Sequence, residues 1–339
     1  MVKSLITGRV IESNDSLLGF NTLNNNEISI FQSKEIFQVW KKTKNYKPFF
    51  TIIENDKGEV IASLLAVIQK EHNGFLGHFS SRSIIIGKPI YPNNELSILD
   101  ELLKTYNKHI HNKAIYSQFR NLSAYSQHEK EIFDKNGFFY EAHLDIIHKL
   151  DNPIDVQFAA LHKGRRKNIR RAERAEVAFR EILSEKEFIK AYDLVVSTYN
   201  RVKLPMPNKN LFTESYRQLS EQNILKTFVA ISNDEIIGCR MVLCYGDIVY
   251  DWYAGASDKH LDKYPNDFLP WKVMEWGSNN GYKIFDFGGA GKPNLAYGVR
   301  DHKLKFGGEL VEFGRFEKVH NKFLMKVGEL GLKLYKFIK

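Results

Sequence analysis

Phe49-Phe50-Thr51-Ile52-Ile53-Glu54-Asn55-Asp56 is followed by Lys57-Gly58-Glu59-Val60-Ile61. Far downstream, Thr227-Phe228-Val229-Ala230-Ile231-Ser232-Asn233-Asp234 is followed directly by Glu235-Ile236-Ile237. Each stretch reads as a short apolar strand, an Asn-Asp turn and a second strand, which is a hairpin. A helical segment precedes each, over residues 33–44 and 211–222. In the first half a strand near 74–80 then leads to a helix over 94–110 and a strand at 114–119. Leu96, Leu99, Leu102, Leu103 and Tyr106 give that helix its apolar stripe. In the second half a strand at 248–254 leads to a helix over 268–280, a stop at Gly281 and a strand at 283–287. The same succession occurs twice. The chain therefore reads as two α/β domains of one fold, residues 1–150 and 151–339, parted at the turn signal Asp151-Asn152-Pro153. Two unrelated domains with coincidental hairpins are the alternative.

Composition agrees with two cores. The chain has 339 residues, 43% of them hydrophobic, with 24 Phe and 16 Tyr. That suffices for two cores of roughly 150–180 residues each. With 22 Gly and 9 Pro, a collagenous or low-complexity chain is excluded. The longest nearly unbroken apolar stretch is the nine residues Val60–Ile68, whereas a membrane span needs about 18 or more. The opening residues 1–8 lack the apolar run of a signal peptide. Cys239 and Cys244 would lie on opposite faces of one strand and form no disulfide framework. The expectation is a reduced, soluble, cytoplasmic protein.

The net charge is +9, which suits anionic partners. It is concentrated. Residues 163–174 carry seven basic side chains and one acidic one, Glu173. They read as a helix with Lys163, Lys167, Arg170 and Arg174 on one stripe, and Leu161, Ile169 and Ala172 nearer the other side. Self-repulsion in such a stripe favours a phosphate-bearing partner, and the guanidinium fork of arginines such as Arg166 suits phosphate oxygens. A solvated or acid-paired face is the alternative. A last helix is expected over 319–338, with Phe323, Val327, Leu330, Leu334 and Ile338 on one face and lysines mostly on the other. We favour a helix docked on its own domain over one lying on an anionic membrane.

Several chemistries fail on spacing. In Phe287-Gly288-Gly289-Ala290-Gly291-Lys292-Pro293, a phosphate loop would need Gly at Asp286 and Ser or Thr at Pro293. The glycines more simply turn the chain at a strand end, a common place for a site in α/β sheets. His109 and His111 have no further ligands at a metal-binding spacing. No Gly-x-Ser-x-Gly elbow exists, and neither Cys has a neighbouring His. Neither a metal nor covalent nucleophilic catalysis is expected.

Other segments form a known pattern: the basic run from Arg166 to Arg174, then Thr198-Tyr199-Asn200-Arg201, then Tyr253-Ala254-Gly255-Ala256-Ser257. The helix around Trp271–Gly281 follows. Last come Phe285-Asp286-Phe287-Gly288-Gly289 and His302-Lys303-Leu304-Lys305-Phe306-Gly307. Phe31-Gln32-Ser33, Asn136-Gly137-Phe138 and His148-Lys149-Leu150 extend the pattern into the first half. This resembles the Fem-type transferases that build peptidoglycan cross-bridges, and equally the related acetyltransferase-like domains of envelope and polysaccharide gene products. The resemblance implies two tandem GNAT-like (acyl-CoA N-acyltransferase) domains, each a mixed twisted sheet flanked by helices. It implies transfer of an amino acid from aminoacyl-tRNA, as co-substrate, to an amine of a nucleotide- or lipid-linked envelope precursor, without metal or resident cofactor. Under it Lys303 stabilises charge developing on the attacked carbonyl. Arg201 and Lys41 hold the precursor's diphosphate, and Tyr253, Asp286 and Lys305 line the substrate site. Lys163, Arg166, Lys167, Arg170 and Arg174 are candidates for nucleic-acid or phosphate contact. The sequence departs from the pattern in two places: His302 stands where the lysine motif has Phe, and Phe37 where the first-half helix has Trp. No heptad run supplies a coiled-coil arm.

An acetyl-CoA site normally needs a glycine-rich loop whose N–H groups cradle pyrophosphate. The corresponding stretch, residues 257–267, has no glycine and carries Asp258, Asp262 and Asp267. This disfavours acetyl-CoA as donor. A CoA-dependent N-acetyltransferase on an amino sugar is the second reading. A non-catalytic RNA- or membrane-surface-binding protein is the third.

Overall fold

A computed structural model describes residues 6–12, 29–70, 80–93 and 95–328. The chain divides into two compact units, residues 1–142 with 313–339, and residues 143–312.

In the first unit the strands are β1 (Thr7–Ile11), β2 (Tyr46–Glu54), β3 (Val60–Gln69), β4 (Arg82–Ile86), β5 (Tyr116–Arg120) and β6 (Phe139–Glu141). The helices are α1 (Lys34–Lys42), α2 (Leu96–Ile110) and α3 (Gln127–Lys135). The second unit contains β7 (Leu144–Lys149), α4 (Ile154–Ala160), α5 (Lys163–Arg174), β8 (Ala178–Glu181), α6 (Glu185–Arg201) and α7 (Lys209–Leu219). It continues with β9 (Leu225–Ser232), β10 (Glu235–Tyr245), β11 (Ile248–Ala256), α8 (Pro265–Asn279), β12 (Ile284–Gly291), α9 (Gly298–Leu304) and β13 (Glu309–Glu312). A final strand, β14 (Arg315–Val319), returns to the first sheet.

The sheet orders are β1-β2-β3-β4-β5-β14-β6 and β13-β7-β12-β11-β10-β9-β8. Read in matching directions they are the same topology, so the repeat seen in the sequence is a repeat of fold. Both are mixed sheets, with one parallel pair each, β4–β5 and β11–β12. In the second hairpin Ser232 pairs with Glu235, and Asn233 and Asp234 both have positive φ, which is what a two-residue primed turn requires. The first hairpin needs a longer turn. There Asn55 Oδ1 accepts from Lys57 N and Glu59 N, and Gly58 takes φ +77°.

The expected division at residues 150 and 151 requires correction. β7 pairs with β12 and β13, and Leu144, Ile146 and Leu150 are buried in the second core. Conversely β14 lies between β5 and β6, and Phe316 stacks on Phe133 at 4.0 Å in the first core. Each sheet thus takes one strand from beyond the half that supplies the rest. Apolar burial decides this, not the turn at Asp151-Asn152-Pro153, which instead leads into α4.

The strand expected near 74–80 falls mostly outside the described residues; the strand seen is β4. The expected last helix also shifts. β14 runs to Val319 and the described helix covers 322–328, with Phe323 and Val327 exposed. Residues 329–338 of that expectation lie outside the described residues. No described helix is long and apolar enough to cross a membrane.

Candidate active site

The two parallel pairs differ. β4 and β5 pair along their full length, from Arg82↔Tyr116 to Ile86↔Arg120. β11 and β12 pair only from Ile248↔Ile284 to Tyr250↔Asp286, although β11 continues to Ala256 and β12 to Gly291. The second sheet therefore opens between its parallel strands. In a strand pair this break leaves backbone groups needing other partners.

Lys303 supplies some of them. Its Nζ donates to the carbonyl oxygens of Phe287 at 2.6 Å and Gly289 at 2.9 Å, with Gly288 O at 3.4 Å. β12 is irregular here: its register with β7 shifts between Asp286 and Gly289 and again before Gly291. Gly288 takes φ +67°, and a Cβ there would stand 3.2 Å from the Tyr250 hydroxyl. The glycine cluster is thus a bent strand end whose carbonyls converge on an ammonium, in keeping with the rejected phosphate loop.

Burial lowers the Lys303 ammonium's affinity for its proton; Asp251, Asp145 and Asp286 oppose that, and Arg240 adds to it. Asp286 is buried and accepts from Gly288 N at 2.6 Å. Burial pushes its carboxyl up to about 6, against the pull of that N–H and Lys303.

The sequence reading missed two members of this group. Arg240 on β10 pairs with Asp251 on β11 at 2.5 Å, where the β10–β11 register shifts between Met241 and Val242. The other oxygen of Asp251, Oδ1, is buried and has no hydrogen-bond partner among the described residues. The signal was present: past Glu235 at the start of β10, Arg240 and Asp251 are the charged residues of two otherwise uncharged strands. Such charges stay buried only when paired. Tyr199 lies beside them, its hydroxyl pushed up to about 12 chiefly by burial and then by Asp251. Its ring is 5.5 Å from that of Tyr253, which packs edge-on to Phe212.

The remaining expected site residues are placed as follows. Arg201, in the last turn of α6, is ion-paired with Asp258 just beyond β11. Lys305 is exposed at the end of α9. Lys41 is on α1 in the first unit, exposed, with Nζ 6.0 Å from the Phe37 ring centre. Helix α5 has the bounds read from the sequence and buries Ile169 and Ala172. Lys163, Lys167, Arg170 and Arg174 are exposed, whereas Arg166 turns inward to the carbonyls of Ala159 and Leu161. In the first unit, Gln32 of the Phe-Gln-Ser motif is buried. Its amide bridges Leu65 N and Ile86 O, each at 2.8 Å, and Ser33 caps α1.

Helix α8 follows β11 in the chain, and its first turn packs against Gly238 of β10. Pro265 has no N–H, and the N–H groups of Asp267 and Phe268 both bond to Tyr264 O. The Asp267 carboxylate is buried there, held by Arg165 and by Asn168 Nδ2 at 2.6 Å. Among the described residues no group of three or more His, Cys, Asp or Glu could hold a metal ion.

Residues 160–303 match the acetyltransferase (GNAT) domain family. No curated protein sequence matches the chain. Among solved structures, FemX is similar with a TM-score of 0.73 at 14% identity, covering 94% of this chain and 99% of that one. A tandem GNAT protein from the clavulanic acid biosynthesis pathway gives a TM-score of 0.56 at 9% identity, covering 93% and 99%. The L-PGS of Bacillus licheniformis gives 0.54 at 16% identity, covering 86% and 91%. The chain has a tandem GNAT fold similar to that of FemX, with the GNAT domain match over residues 160–303.

Proposed function

We propose that the protein is a Fem-type acyltransferase whose second unit moves an aminoacyl group from aminoacyl-tRNA to an amine of an anionic cell-envelope precursor. The observation that carries the choice of donor is the start of α8. A CoA pyrophosphate bound there would look for free N–H groups at a helix N-terminus. It would meet Pro265, N–H groups already bonded to Tyr264 O, and the buried Asp267 carboxylate. On this reading Lys303 is the fixed cation for the tetrahedral oxyanion. Two of its protons are engaged at 2.6 and 2.9 Å, and the third, toward Gly288 O at 3.4 Å, is the one offered to the substrate. Arg201 supplies a guanidinium for the precursor's phosphates, and the exposed stripe of α5 a face for RNA. The precursor is nucleotide- or lipid-linked, and the reaction belongs at the cytoplasmic side of the membrane.

A second reading, N-acetyl transfer from acetyl-CoA to an amino sugar, is favoured by the GNAT domain match over residues 160–303. Acyl-labelled aminoacyl-tRNA and acetyl-CoA, each offered with a precursor extract, separate the two. RNase-sensitive transfer is expected. Transfer from acetyl-CoA alone would replace the donor, and no turnover with salt-dependent RNA binding would leave a binding protein.

A further inference from the structure

His302 stands one residue before Lys303 on α9, and its Nδ1 lies 2.7 Å from Nη2 of Arg165 on α5. A guanidinium has only protons to give. The Nδ1 nitrogen must therefore accept, which excludes both the imidazolium and the Nδ1–H tautomer and leaves the proton on Nε2. Arg165 is not free to swing away. Its Nη1 is held by the buried Asp267 carboxylate, which Asn168 also grips, and its guanidinium lies 5.0 Å over the Phe306 ring. The His302 ring packs 5.5 Å from the same Phe306. Among the described residues nothing bonds to His302 Nε2, and the side chain is only half-buried.

We infer that Arg165 locks His302 as a neutral Nε2–H donor, and that this proton is offered to the acyl carbonyl oxygen that Lys303 also stabilises. The inference rests on the acyl-transfer reading. In that reaction the amine nitrogen forms a bond to the carbonyl carbon and the carbonyl π pair moves to oxygen. On collapse the carbon–oxygen bond to the donor's hydroxyl breaks, and the leaving oxygen takes up a proton equivalent to the one the nitrogen sheds. His302 transfers no proton; it holds a hydrogen bond to the oxyanion, as a neutral imidazole can. The charges around the ring keep it neutral: Arg165 from α5, Arg240 from β10, and Lys303 and Lys305 from its own helix and its end. Asp267 pairs with Arg165. Burial and these cations lower its pKa to about 4.

Nitrogen-15 spectra of the full chain test the lock. The His302 ring is expected as the Nε2–H tautomer, unchanged between roughly pH 8 and 5, whereas Arg165→Met should let it titrate nearer the ordinary histidine value of about 6.5. An Nδ1–H tautomer or a charged ring at neutral pH would overturn the lock. Turnover tests the donor. His302→Phe keeps a ring against Phe306 and should lower kcat roughly 100-fold with little change in acceptor KM, and His302→Gln should recover part of the loss. Unchanged kcat in a folded His302→Phe variant would overturn the contact with the acyl group. If the wild type transfers nothing from either donor, the acyl-transfer reading and that contact fall together. The spectra still decide whether Arg165 sets the tautomer.

Discussion

Lys303 Nζ lies 2.6 Å from the carbonyl oxygen of Phe287, so the residue expected to act on substrate also holds the bent end of β12. Lys303→Met should therefore do two things. It should abolish acyl transfer, and it should cost about 1–3 kcal/mol of stability by leaving strand carbonyls without a donor. Denaturant unfolding and turnover measured together check this. A fully stable variant would remove the structural role, and a fully active one the chemical role.

Asp286 and His302 should pull the pH dependence of stability in opposite directions. The Asp286 carboxyl titrates at about 6 in the folded chain against 3.8 ordinarily. The native state thus holds the extra proton, and this contribution falls as pH rises through that window. His302 is depressed to about 4 from 6.5, so the unfolded state holds the extra proton and its contribution is lost as pH falls from 6.5 toward 4. His320, also near 4, acts with His302. Between pH 4 and 6 Asp286 should offset one of the two histidines, leaving a wild-type acid loss shallower than the histidines alone would give. Asp286→Asn should steepen the acid loss and raise stability at pH 7, by on the order of 3 kcal/mol. Urea midpoints across that range decide, and an unaltered slope counts against a raised Asp286.

How much of this could be read from the sequence depended on the range of the interaction. Asn233 and Asp234 announce a turn because they are residues that tolerate positive φ, and the hairpin they close is local. The stripe of α5 is likewise local, and its bounds came out as read. The insertion of β14 between β5 and β6 was not legible. Phe316 meets Phe133 across a long stretch of sequence, and nothing in residues 315–319 states which sheet they complete. Arg240 and Asp251 fall between these cases. Each is conspicuous as a charge in an apolar strand, but only the fold reveals that they are partners. Arg166 shows the opposite failing: its position in a basic run suggested an anion, and its guanidinium went to two carbonyls.

Arg201 is paired with Asp258 at the protein surface, and the two side chains are 37% and 53% exposed. Such a pair is worth only about 0–1 kcal/mol and can yield to a phosphate-bearing ligand. Arg201→Ala should weaken binding of the precursor by about 1.5–3 kcal/mol. Asp258→Asn should tighten it a few-fold, because the guanidinium no longer has a competing carboxylate. Titration calorimetry with a nucleotide-linked precursor checks both signs. Equal weakening in the two variants would mean that the pair, and not the free guanidinium, shapes the site.

The α5 stripe makes a quantitative prediction about RNA. Lys163, Lys167, Arg170 and Arg174 are exposed on one face, and among the described residues none of them forms a salt bridge. Their cost in self-repulsion falls when a polyanion sheds counterions onto them. Replacing them singly with Gln should weaken tRNA binding about equally for every tRNA sequence. It should also reduce the slope of log affinity against log salt by roughly one unit for each cation that contacts phosphate. Arg166→Gln serves as the contrast: its guanidinium is committed to Ala159 and Leu161, so the salt slope should stay put while stability drops. If all five variants leave the slope unchanged, the stripe is a solvated helix face and RNA is bound elsewhere. If Arg166→Gln alone changes it, the inward geometry of Arg166 is lost when RNA binds.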